Sequence, residues 1–282
     1  MKALCVCVSL AAILVAQSRP KFEVVSVKEC QPGEDAPPSI SSPARLSLGC
    51  RTLGPLIQQA YDSFASGEPG YRPLIRPMDL EGGPAWLNST RYSIEAKTES
   101  PQSAAMMRGP MMQVLLEERF HLAIHRATKE EDAYIMTVAT GGLKAPRTKD
   151  GSCIPYDYSE AMNMRPGEVE ESKLCGVPAR PSMHGSRAVF DMKGISFSNF
   201  ARMLRPNGLF AVDQTGLEGL YDIHFEFDPP NAPASDPGTA ADPSPHATEM
   251  EAMQTQLGIR LTRGKGLREH LVIDRIEKPT GN

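Results

Sequence analysis

The chain has 282 residues and carries 30 Lys and Arg against 34 Asp and Glu, a formal net charge of −4. That mild acidity leaves no electrostatic footprint for nucleic acid or an anionic membrane surface, so neither is expected as a partner. The length accommodates one large domain or two small ones.

Met1-Lys2, an apolar run from Ala3 to Ala16 broken only by Ser9, and Gln17-Ser18 have the layout of a signal peptide. The run is shorter than the roughly 20 residues a membrane-spanning helix needs, and no other stretch approaches that length. Residues 1–18 therefore read as a leader, cleaved after Ala16 or Ser18, with no transmembrane helix in the mature chain. Leu14, large for the −3 position of the Ala16 site, keeps an uncleaved anchor as the alternative. Cys5 and Cys7 leave with the leader, and the mature protein is expected outside the cytoplasm, periplasmic or secreted.

Past the leader, Lys21 to Lys28 is rich in Val and Phe and reads as a strand, and the Pro, Ser and Gly of residues 31–47 read as a loop. Leu53, Leu56, Ile57, Ala60 and Tyr61 recur at helical spacing, with Thr52 placed to cap the first turn and Pro55 inside it. Tyr92, Ile94 and Ala96 alternate as a strand, and a helix follows near 110–119. Phe120–Arg126 and Ala133–Val138 read as two strands joined by a charged turn, Lys129-Glu130-Glu131-Asp132.

The order recurs in the C-terminal half. Ser196 can cap a helix bearing Phe197, Phe200, Ala201 and Leu204, and Leu209–Val212 and Tyr221–Phe227 read as strands. Thr248 and Glu251 form a capping box, and Gly258 marks the helix end. Ile259–Arg263 and His270–Ile276 read as closing strands. Setting Phe120 against Leu257 aligns Leu122 with Ile259, Ile124 with Leu261, Arg126 with Arg263 and Ile135 with Val272 without a gap. One shared offset is what a duplicated unit produces. The expected fold is thus α+β, two related lobes of helix-on-sheet units: residues 19–140, a loop-rich connector at 141–192, and 193–282 with a disordered Pro-rich loop at 228–247.

Cys30, Cys50, Cys153 and Cys175 remain after maturation, and an even number in an exported chain points to disulfides. Three pairings are open; Cys30 with Cys50 and Cys153 with Cys175 are favoured because each pair brackets one loop-rich segment. Each ring would remove on the order of 3 kcal/mol of unfolded-state entropy. No C-x-x-C or nearby His supplies zinc-ligand spacing.

The remaining chemistry is sparse. His121 and His125 read as strand residues on one face, roughly 13 Å apart, too far to share a metal. His184, His224, His246 and His270 are scattered one per segment and read as surface or loop residues. Glu117-Glu118 reads as a solvated helix face, and Trp86 as a residue packed against a sheet. There is no G-x-S-x-G, P-loop or G-x-G-x-x-G, so no catalytic, cofactor or metal residue is assigned and no cofactor is expected.

The helix from Thr52 to Tyr61, Gly82-Gly83-Pro84-x-Trp86-Leu87, the Leu115-Leu116-x-x-Arg119-Phe120-x-Leu122 step and Val212-Asp213-x-Thr215-Gly216-Leu217-x-Gly219-x-Tyr221-Asp222 form one pattern. With the ending Leu271 to Asp274 and Glu277-Lys278-Pro279, it resembles the soil-associated protein family abundant in acidobacteria. The resemblance implies an exported or membrane-linked protein without an established activity. Some members of that family are joined to membrane metallopeptidases, whose H-E-x-x-H is absent here, and the insert between Ser63 and Met78 is longer than that family's usual pattern. The C-terminal lobe alone resembles the small N-terminal modules of secretins and TonB-linked receptors, which bind envelope proteins. The reading that follows is a non-enzymatic extracytoplasmic binding or interaction module for an envelope protein or small ligand, the alternative being a secreted hydrolase whose site assembles only on folding.

Overall fold

The computed structural model describes residues 19–31, 33–34, 40–68, 76–155, 173–179, 182–229 and 248–279. The leader at 1–18, the central part of the connector and the Pro-rich tract at 230–247 lie outside the described residues, as does His246. Among those described, no helix is long and apolar enough to cross a membrane. The architecture is mixed α+β, with three sheets.

In the first lobe, β1 (Val24–Glu29), β2 (Ile40–Ser42), β3 (Arg45–Thr52) and β5 (Arg91–Lys97) form an antiparallel sheet in the order β1-β5-β3-β2. The alternation of β5 turns Tyr92, Ile94 and Ala96 inward, where all three are buried. β2 and β3 correct the expected loop over residues 31–47: Leu46 and Leu48 alternate with polar residues and fill the core, which offsets the turn-forming composition around them. Cys50 in β3 is joined to Cys30 just beyond β1.

Helix α1 (Leu53–Gln58) lays Leu53, Leu56 and Ile57 on this sheet and widens into a π-helical turn over Gln59–Ser63. Thr52 occupies its N-cap position, but its side chain makes no capping hydrogen bond, contrary to the sequence reading. Trp86, in the 3-10 turn Ala85–Asn88, packs on the same core in a T-shaped contact with Tyr92. Two further helices, α2 (Ala104–Arg108) and α3 (Pro110–Phe120), complete the lobe. α3 ends on His121, which takes a left-handed conformation as C-cap, so His121 does not share a strand face with His125.

The second lobe has its own sheet and helices. β7 (Ser182–His184), β8 (Arg187–Ile195) and β10 (Tyr221–Phe227) form a sheet in the order β10-β8-β7, so residues 182–192 of the expected connector are largely strand. The second disulfide, Cys153 to Cys175, sits against Gly194 of β8, where a Cβ would stand 2.5 Å from Cys153 Sγ. Helix α4 (Phe197–Met203) is capped by Ser196, whose hydroxyl accepts the Asn199 N–H. Helix α5 (Glu249–Ala252) carries the expected capping box at Thr248 and Glu251 and continues as a π turn to Leu257, with Gly258 left-handed beyond it. Phe197, Phe200, Tyr221 and Phe225 dominate this core.

A third sheet joins the lobes, in the order β4 (Asp79–Gly82), β11 (Ile259–Arg275), β6 (Ala123–Val138) and β9 (Phe210–Asp213). β6 and β11 are single long strands, each replacing two shorter strands expected from sequence. The supposed turn Lys129 to Asp132 lies mid-strand and pairs with residues 265–268. It stays extended because opposite charge faces it: Asp132 lies 2.8 Å from Lys265 and Glu131 3.6 Å from Arg268. β4 runs parallel to β11 at His270–Ile273, and β9 parallel to β6 at Ala133–Met136. The ribbon interleaves the lobes: Ile273 and Ile276 enter the first core, while Tyr134 and Met136 enter the second.

Candidate functional site

Around the middle of the β6–β11 ribbon, both lobes contribute walls to a cavity of about 430 Å³. The first lobe supplies Asp62, from the π turn after α1, and Arg76; the ribbon supplies Arg126, Leu267, Arg268 and Glu269. The second lobe supplies Arg202 at the end of α4, Arg205 just beyond it, and Phe210 and Asp213 of β9. Five arginines thus face three carboxylates.

The carboxylates are already engaged. Asp62 accepts the Met78 N–H at 2.8 Å and lies 3.6 Å from Arg202. Asp213 accepts the N–H and the hydroxyl of Thr215 at 2.9 and 2.7 Å. Glu269 lies 3.6 Å from Arg126, whose guanidinium also donates to the Tyr61 carbonyl at 2.7 Å. Arg268 pairs with Asp79 at 2.6 Å and lies over the Phe210 ring at 5.1 Å.

Arg76 and Arg205, by contrast, form no ion pair with a carboxylate among the described residues. Among the described residues, Arg205 donates to the carbonyls of Arg202 and Leu204, at 3.1 and 2.7 Å. Its pKa is lowered by burial first, and then by the like charges of Arg268 and Arg76. Leu267, 69% exposed, adds an apolar side chain to the wall.

A second cluster lies on the same sheet but does not line the cavity. His270 of β11, expected at the surface, is 3% exposed. Its Nδ1 lies 2.9 Å from Glu81 of β4 and its Nε2 3.1 Å from Glu131 of β6, although neither carboxylate lies along a ring N–H direction. Glu81 also pairs with Lys129, which holds its pKa below the ordinary carboxylate value, helped by its own weaker interactions with His270 and Arg268. These residues tie three strands together. No local sequence signal marks His270 as buried, because its partners come from β4 and β6.

The other sequence-stated residues stay dispersed. His125 contacts Asp274 at 2.9 Å, His184 contacts Glu226 at 2.8 Å and His224 lies 3.7 Å from Asp191, all with exposed imidazoles. Glu117, expected on a solvated face, is half-buried, pairs with Arg19 and accepts the Tyr61 hydroxyl at 3.0 Å. Burial and this carboxylate push the Tyr61 phenol pKa up. The four cysteines form the two disulfides bracketing the loop-rich segments. Sequence reasoning missed the cavity arginines, which are spread from position 76 to position 268 with no motif around them.

A family model described as "Protein of unknown function (DUF3738)" matches residues 56–276. No curated protein and no solved structure matches the chain.

Proposed function

The chain belongs to the DUF3738 family of proteins of unknown function, and we propose that it is an exported, non-enzymatic binding protein whose small ligand lies in the cavity between its lobes. The carrying observation is that cavity, walled by both lobes and by the ribbon that interleaves them. Its volume falls within the range of about 300–1,000 Å³ found for small-molecule sites. The two disulfides suit an oxidising compartment outside the cytoplasm and support the leader reading of residues 1–18.

The motif set supports a place among the soil-associated acidobacterial proteins, and the element order of the second lobe is the ground for its likeness to secretin-type modules. Duplication of one ancestral unit accounts for the two lobes. The alignment of Phe120 with Leu257 places Ala133–Met136 on His270–Ile273, and each of these segments receives a short parallel strand, β9 or β4. In both lobes, too, the strand before the helix pairs antiparallel with the strand that follows the short one.

The test is a thermal-shift screen of a small-metabolite library against the mature disulfide-bonded protein and its Leu267→Trp variant. Leu267 is exposed, so the larger ring fills the cavity without entering a core. A ligand at a hundredfold excess over its Kd stabilises the protein by about 2.7 kcal/mol, a readily seen shift. Stabilising compounds should lose their effect in Leu267→Trp. Compounds that stabilise both proteins equally would contradict the cavity reading, as would recovery of a crosslinked envelope protein that covers another surface.

A further inference from the structure

The charges around the cavity point to the class of ligand, an inference that rests on the cavity being the binding site. We infer that the cavity takes a small amphiphilic anion, an oxyanion head of carboxylate or phosphate-ester type on a short apolar body.

The case begins with an imbalance. Each lining carboxylate already accepts a backbone or hydroxyl hydrogen or lies near another arginine, whereas Arg76 and Arg205 have no carboxylate partner among the described residues. Arg205 is close enough to Arg268, Arg76 and Arg202 for their charges to act on it, against one opposing charge from Asp79, which Arg268 already holds at 2.6 Å. Like charges gathered in a partly desolvated cleft repel one another, and an anion placed among them relieves that cost. Arginine is also suited to the task, because its planar fork of N–H donors matches the oxygens of a carboxylate or phosphate.

The apolar part of the wall sets the remainder of the ligand. Leu267 lines the cleft with its side chain exposed, and the Phe210 ring lies under the Arg268 guanidinium. An anion with a short apolar body covers the leucine while its head reaches the arginines. The cavity volume limits the occupant to a small molecule and leaves no room for a folded partner.

The test uses isothermal titration calorimetry of the full mature protein with phenyl phosphate, benzoate and the uncharged benzyl alcohol. Phenyl phosphate or benzoate should bind, weaken as salt rises, and outcompete benzyl alcohol. Arg205→Gln and Arg76→Gln should each weaken that binding about tenfold. Neither change leaves a carboxylate unpaired, and relief of like-charge repulsion offsets the carbonyl hydrogen bonds that Arg205→Gln loses, so neither variant should melt well below the parent. Leu267→Trp should abolish binding.

If benzyl alcohol binds as tightly as phenyl phosphate and Leu267→Trp abolishes both, the anion class is overturned while the cavity reading stands. If the anions bind Leu267→Trp and the arginine variants unchanged, both are overturned. Absence of binding by all three probes at millimolar concentration overturns the anion inference.

Discussion

Replacing Gly258 with alanine should destabilise the second lobe more than a single glycine substitution usually does. Gly258 ends the helical segment before β11 with φ of +71°, a left-handed conformation that costs an L-residue roughly 1–2 kcal/mol. The added Cβ would also stand 2.0 Å from the Gly142 carbonyl oxygen and 3.0 Å from the Lys144 nitrogen, both backbone atoms.

Relief therefore requires the 139–145 turn to withdraw, and that turn is held to Leu257 and Gly258 by three backbone hydrogen bonds. Ala139 donates to Gly258 O at 2.8 Å, and Lys144 and Ala145 donate to Leu257 O at 2.9 and 3.2 Å. Losing two of them, at about 1 kcal/mol each, together with the conformational cost gives about 3–4 kcal/mol. Gly142→Ala is the internal control: its φ is +82° but a Cβ there meets nothing within 4 Å, so it carries the conformational cost alone. Urea unfolding of both variants measures the difference. Equal midpoints for Gly258→Ala and Gly142→Ala would refute the steric argument.

Three further outcomes are expected. Cys153→Ser with Cys175→Ser opens a ring whose ends are 22 residues apart and should lower unfolding free energy by about 3 kcal/mol, read by urea titration against the oxidised parent. Thr248→Ala removes the hydroxyl that accepts the Glu251 N–H and should cost about 1 kcal/mol, while Thr248→Ser should restore most of it. Glu95 has its pKa held below the ordinary value by the Ser47 hydroxyl and then by Arg45. Its contribution is therefore present above the unfolded pKa, about 4.3, and is lost as pH falls through the lower folded pKa. Glu95→Gln should flatten that part of the stability–pH curve in acid unfolding, and an unchanged curve would count against the assignment.

Local features of this chain are legible in its sequence. Tyr221–Phe227 is a strand over the residues its alternation marks, and the capping box at Thr248 and Glu251 forms as spaced, because each depends on neighbours a few residues away. β3 is obscured because Leu46 and Leu48 alternate within a short stretch surrounded by turn formers. The charged quartet from Lys129 to Asp132 resembles a turn until β11 is placed beside it with Lys265 and Arg268. The cavity is the least legible feature. Arg76, Arg126, Arg202, Arg205 and Arg268 meet only through the interleaving of the lobes, and His270 is buried by glutamates from two other strands.

Hydrogen–deuterium exchange of the mature protein with and without phenyl phosphate tests the central claim most directly. The account predicts slower exchange in residues 198–213 and 267–269, the segments that wall the cavity in the second lobe and the ribbon. Protection confined to the sheet edges β2 and β7, with residues 198–213 unchanged, would contradict it.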